Sequence, residues 1–255
     1  MQIPRMLAVA IPLMIATTTA AQDFRMETDV VVGKEPKPVA QNLTLFTGNL
    51  VYDFALGSAD ELAIREVTIL NTQKSSIVLM DLTRKIRTEV STDTLLRFTV
   101  RIRKIALEKR NGAVALDFQT QSDNKAKTVA LTSERVTYIV SARETQQPDA
   151  VTRYREFADW YAQLNAMRPG NLPPFGRLQL NRELASRQWL PETITRTVVI
   201  DKLRRRRQEL RSKHIVAWQL TNTDRRRIND AAGYQVGFQR VTLEDYLQPE
   251  KVAAR

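Results

Sequence analysis

Between Phe24 and Val90, apolar residues recur at every second position in six short runs, each followed by a turn signal. In the first, Phe24, Met26, Thr28, Val30 and Val32 share one face, and Arg25, Glu27 and Asp29 take the other. Residues 42–46 and 50–56 repeat the pattern around a Thr47-Gly48-Asn49 turn. Leu62 and Ile64, then Val67 and Ile69, continue it with a slip of phase near Arg65-Glu66, as a bulge would make it. Residues 77–80 and 85–90 complete the series. Runs this short, separated by turns this tight, predict neighbouring antiparallel strands, because parallel neighbours need long crossovers.

Residues 91–110 carry two patterns at once. Leu96, Phe98, Val100 and Ile102 alternate as in a strand, whereas Leu95, Phe98, Ile102, Ile105 and Ala106 share a helical face. The run exceeds the usual length of a strand, and Ser91-Thr92-Asp93 before it and Asn111-Gly112 after it are a helix start and stop. The spacing predicts a helix. Three further strands are expected at 114–119, 127–132 and 136–142, with a loop at 120–125. Pro148 opens a helix whose Val151, Tyr154, Phe157, Ala158, Tyr161 and Leu164 form the apolar face, with Arg155 and Asp159 paired on the wet side. A third helix is expected from Pro173-Pro174 to about Arg187, strands at 194–200 and 214–220, and a short helix capped by Thr223 or Asp224 that ends before Gly233. A last strand is expected within 235–241, with frayed residues after it. The fold class is therefore α+β, an antiparallel sheet with helices packed on it.

Residues 1–21 have the pattern of a cleaved secretory signal: Arg5, an apolar stretch over 6–16, then small residues to Ala21. The expected mature protein is one domain over 22–255, periplasmic or secreted. The chain has no cysteine, which excludes disulfides, thiolate metal sites and a cysteine nucleophile. Of its 39 basic residues one lies in the signal, so 38 face 28 acidic residues, a net charge of +10. That balance favours anionic partners such as lipid head groups or envelope polymers. Export sets nucleic acid aside.

Catalytic constellations are missing from the sequence. His214 is the single histidine, no Gly-x-Ser-x-Gly elbow accompanies a serine, and no glycine-rich phosphate loop is present. Neither a metal nor a cofactor is expected, and the chain reads as a non-enzymatic protein. Two features carry the functional reading. The first is the basic segment Lys202, Arg204, Arg205, Arg206, Arg207, Arg211 and Lys213, opposed by Glu209 alone, with Arg225-Arg226-Arg227 following. Arg204, Arg205, Arg206, Arg207 and Arg211 are the candidate anion-docking residues. Arg97, Arg101 and Lys104 add a cationic stripe. The second feature is apolar: Leu95, Phe98, Ile102, Ile105, Tyr154, Phe157 and Tyr161 are core or the wall of a ligand pocket.

The phrases Asn49-Leu50-Val51-Tyr52-Asp53-Phe54, Val67-Thr68-Ile69-Leu70 and Val78-Leu79-Met80-Asp81, in a cysteine-free chain with a long meander and helices at its middle, resemble the LolA/LppX-like periplasmic lipoprotein carriers. The resemblance spans roughly residues 24–220 and implies a curved sheet forming a half-barrel, with helices on its concave face over an apolar cavity. It implies binding of a lipid or lipoprotein acyl chain. The helices between 149 and 187 and the arginine segment depart from that pattern. The alternative reading is a scaffold that docks an anionic envelope polymer or an acidic protein through its arginines.

Overall fold

A computed structural model describes residues 22–57, 63–108, 117–201 and 206–247. The expected signal at 1–21, Leu62, the Asn111-Gly112 helix stop, most of the strand expected at 114–119, Lys202, Arg204 and Arg205 lie outside these residues.

The meander forms as the alternation predicts. Strands β1 (Phe24–Val32), β2 (Ala40–Thr47), β3 (Leu50–Leu56), β4 (Ile64–Asn71), β5 (Ser76–Asp81) and β6 (Ile86–Ser91) pair in sequence order, all antiparallel. The phase slip is a bulge at Arg65: Ala55 faces Glu66 and Leu56 faces Ile64, so Arg65 is the extra residue of β4. The ambiguous segment is helix α1 (Thr92–Glu108), and the Ser91 hydroxyl caps it by accepting from the Thr94 amide at 3.2 Å.

The rest of the chain builds the other half of the sheet. After β7 (Gln119–Asp123), β8 (Thr128–Thr132) and β9 (Val136–Glu144) come helices α2 (Pro148–Ala166) and α3 (Phe175–Ser186). Strands β10 (Trp189–Asp201) and β11 (Arg206–Ala217), helix α4 (Asn222–Gly237), the two-residue β12 (Gln239–Arg240) and helix α5 (Leu243–Leu247) follow. One open sheet of twelve strands results, in the order β12-β6-β5-β4-β3-β2-β1-β11-β10-β9-β8-β7. Among the described residues only the β12–β6 pair is parallel. The fold is α+β.

Strand parity assigns the helices to faces. Phe46, Val51, Leu70, Ile77 and Leu79 join Val151, Tyr154 and Phe157 of α2 in one core, which also takes Leu95 of α1 and Tyr246 of α5. Their strand neighbours Leu45, Tyr52, Ile69, Val78 and Met80 point the other way and pack with Ala231 of α4. On the first face, β8, β9 and β10 continue as a second core with Leu180 and Leu184 of α3. Helices therefore cover both faces of the meander, α1, α2 and α5 on one and α4 on the other, while α3 continues the first layer over β8, β9 and β10.

Several elements differ from the sequence reading. Residues 120–123, expected as loop, belong to strand β7, whose described residues are all exposed and carry no apolar alternation, and β10 begins at Trp189 instead of 194. Strand β11 starts at Arg206 instead of 214, so much of the basic segment is strand. Its first four residues are exposed on both sides, so no apolar alternation marks them. Helix α4 runs through Gly233 to Gly237, because Ile228, Tyr234 and Phe238 pack around Ala231 and offset the roughly 1 kcal/mol cost of a helical glycine. Its cap is Thr221, not Thr223 or Asp224: the Thr221 hydroxyl accepts from the Asp224 amide at 3.1 Å, and the Asp224 carboxylate accepts from the Thr221 amide at 2.8 Å. The expected strand at 235–241 shrinks to β12, and α5 takes residues read as frayed.

Candidate anion-docking face

Helix α4 covers β2 to β5, and the same face of the sheet continues beyond it over β1, β11, β10, β9 and β8. No helix among the described residues contributes to a core there. Registers give the rows. Val31, Arg211, Thr195, Ile139 and Ala130 lie side by side, and so do Asp29, Lys213, Thr193, Ser141 and Thr128. At the usual strand spacing each row is about 19 Å long. Short side chains fill it: Ser141 and Thr193 share a hydroxyl hydrogen bond at 2.6 Å, and Ile139 is 56% exposed.

Parity sorts the arginine cluster. Arg207, Glu209, Arg211 and Lys213 alternate onto this open face, so one exposed acid stands between two of the three cations, whereas Arg206 falls on the opposite side of β11. Arg204 and Arg205 are outside the described residues. Arg207 to Lys213 spans about 20 Å of strand. All three cations are exposed, and no ion pair reaches them among the described residues. Nearby acids are partly committed elsewhere: Asp29 accepts from the Gln41 amide at 2.7 Å, and Glu27 is bound to Arg25.

The second arginine run joins the same side through α4. Arg25 of β1 donates to both Asp224 oxygens at 2.9 and 3.2 Å, and Asp224 is fully buried in the capping box. This pins the α4 N-terminus to β1. Arg225, 61% exposed, comes only within 3.9 Å of Asp23, and Arg227 within 3.9 Å of Asp224. Cations far apart in sequence thus share one face.

Behind the opposite face lie charged groups that the sequence reading missed. Asp53 is 3% exposed and accepts from Asn42 and Thr44, each at 2.7 Å. Burial pushes its carboxyl up to about 6, against the lowering pull of those hydrogen bonds. Tyr161 of α2 bonds into this group, and burial raises its phenol. Glu66 beside it binds Arg168 at 2.6 Å, and Arg84 binds Asp81 at 2.8 Å while donating to the Tyr246 carbonyl at 2.9 Å. The phenol of Tyr246 is buried and finds no hydrogen-bond partner among the described residues. Asp53 was legible as an acid set between Tyr52 and Phe54 on the parity of Val51.

His214 bridges β11 and β1. Its Nδ1 meets the Thr28 hydroxyl and its Nε2 the Ser212 hydroxyl, each at 3.0 Å. Burial, aided by Arg177, lowers the imidazole to about 3, so the ring is neutral. Ser212 and His214 stand at nucleophile–base distance, but the third member is a threonine where an orienting carboxylate would be needed. The arrangement is that of a strand-to-strand staple.

The apolar candidates divide. Leu95, Tyr154 and Phe157 are buried in one core, with Phe157 edge-on to Phe46 at 5.9 Å, and Tyr161 packs against them. Phe98 and Ile102 are half-buried, and Ile105 is 40% exposed. Tyr161 turns its hydroxyl to Asp53, so it is a polar member of the interior as well as a packing one. A groove of about 240 Å³ lies nearby, between the β2–β3 turn and the start of α2. Asn49, Asp149, Arg153 and Glu156 give it a mixed-charge lining.

No family model matches the chain, and no curated protein matches it in sequence.

Proposed function

We propose that this protein is a non-enzymatic binding module of the cell envelope that docks an anionic polymer on the open face of β1, β11 and β10. The observation that carries this reading is the row of exposed Arg207, Arg211 and Lys213, which no ion pair reaches among the described residues, on a surface of short side chains. Three cations against the single Glu209 leave this row of β11 net positive, and a polyanion lying along it neutralises the excess. Secretion, expected from residues 1–21, supplies the compartment. Binding of dextran sulfate, followed by calorimetry, tests it. With three cations engaged, affinity should fall roughly 20-fold between 50 and 200 mM salt. Arg211→Gln with Lys213→Gln should flatten that slope by about two thirds. Unchanged binding by the double variant refutes the reading.

A second reading is lipid carriage on a LolA/LppX-like half-barrel, with α1, α2 and α3 on its concave face. It draws support from the meander and from the shared face of these three helices. Leu95, Tyr154 and Phe157 fill the space under the helices, so an acyl chain would enter only if α1 or α2 lifted from the sheet. Native mass spectrometry of protein purified from its own envelope fraction separates the readings. A lipid of defined mass favours carriage, and a clean apo mass removes it.

A further inference from the structure

Helix α1 buries Leu95, Thr99 and Ala106 and binds α2 through the Thr99 hydroxyl, which donates to Gln163 Oε1 at 3.0 Å. A flank about 100° round the helix from that buried face carries a second apolar row. Leu96, Val100 and Leu107 are 50%, 58% and 61% exposed. At 100° per residue they lie within about 40° of one another, and Arg103 falls in the same row. Beside them stand Arg97, Arg101 and Lys104. Arg97 and Lys104 have only exposed helical partners, Asp93 at 2.8 Å and Glu108 at 3.8 Å. No ion pair reaches Arg101 or Arg103 among the described residues.

We infer that α1 docks on the surface of an anionic phospholipid bilayer, lying in its plane. Leu96, Val100 and Leu107 enter the boundary between head groups and acyl chains. Arg97, Arg101, Arg103 and Lys104 extend along their aliphatic stems to the lipid phosphates. The charge of the outer side, four cations against two acids, complements such a surface. The row from Leu96 to Leu107 is about 16 Å long and one helix wide. That is narrow for a protein interface of about 800 Å² per partner and suited to a helix half-sunk in lipid. This surface is separate from the cationic sheet face: α1 belongs to the α2 side of the sheet.

The test is co-sedimentation of the full mature chain with vesicles of phosphatidylcholine containing 30% phosphatidylglycerol, and with phosphatidylcholine alone. Binding is expected to the anionic vesicles only. The triple variant Leu96→Ser, Val100→Ser, Leu107→Ser should lose at least tenfold in vesicle affinity with an unchanged melting curve, since these side chains are exposed. Arg101→Gln and Arg103→Gln should each lose about fivefold. Arg207→Gln with Arg211→Gln and Lys213→Gln should bind vesicles as the wild type does. The inference is overturned if the wild type ignores anionic vesicles at 50 mM salt, or if the serine variant binds them undiminished. It is equally overturned if the serine variant turns a wild-type dimer into a monomer, which would assign the row to a second copy of this chain.

Discussion

Asp53→Asn tests the buried carboxylate under α2 most directly. In the folded protein the Asp53 carboxyl sits at about 6, against 3.8 for a free aspartate, because burial outweighs its hydrogen bonds. A folded value above the unfolded one means the native state holds the proton longer. The contribution of Asp53 to stability is then most favourable below pH 3.8, falls as pH rises to about 6, and stays reduced above it. At 1.36 kcal/mol per pH unit the loss is about 3 kcal/mol, in a group shielded enough from solvent for that conversion. Asparagine has the same shape and stays neutral. Its oxygen can accept from Asn42, and its amide can donate to Thr44, which then turns its hydroxyl. Urea unfolding at pH 4.5 and 7.5 measures the effect. The variant should gain about 1–3 kcal/mol over the wild type at pH 7.5 and much less at pH 4.5, with the m-value unchanged. A variant weaker than the wild type at pH 7.5, or a difference that does not change between the two pH values, would refute the argument.

His214 titrates in the opposite sense: its folded value is lowered to about 3, so its own contribution to stability falls as pH drops from 6.5 toward 3. Its ring resonances should show no midpoint between pH 7 and 4.5, and a midpoint near 6.5 would remove the staple. Arg25→Ala should cost about 3 kcal/mol in denaturant melts, because it leaves the fully buried Asp224 without its closest cation, and Arg25→Lys should recover part of that. Gly176→Ala would place a Cβ 2.6 Å from Phe118 and 2.8 Å from Tyr138, and should lower stability by about 1–3 kcal/mol. A neutral result there would mean that the seam between α3 and β9 is loose.

The meander and the α2 face were legible because each of those elements buries one side and wets the other. Leu43, Leu45, Tyr52 and Phe54 alternate with residues of the opposite face, and the period shows in the chain itself. Bulge and caps also left local marks, as at Arg65 and Ser91. The start of β11 left none, since solvent reaches both of its sides. Helix α4 was cut short in the reading by a glycine whose local cost tertiary packing offsets. The docking face was illegible for a geometric reason. Asp29 and Lys213 are register neighbours although 184 positions apart, and only the pairing of β1 with β11 sets them side by side. Composition supplied the charge, and strand parity, known only once β11 was placed, decided which arginines share a side.

The position of β1 has a kinetic consequence. The first strand described lies between β2, which follows it at once, and β11, which ends at Ala217. The meander can zip from local hairpins as soon as β6 is available, and it then presents β1 as a raw edge. That edge stays unsatisfied until some 115 further residues have been delivered and β11 closes onto it. Closing so long a loop late makes this the slow step of folding, and an open edge in the interval is a template for pairing with other chains. Shielding β1 during synthesis is thus as much a requirement of this topology as any contact in the finished sheet.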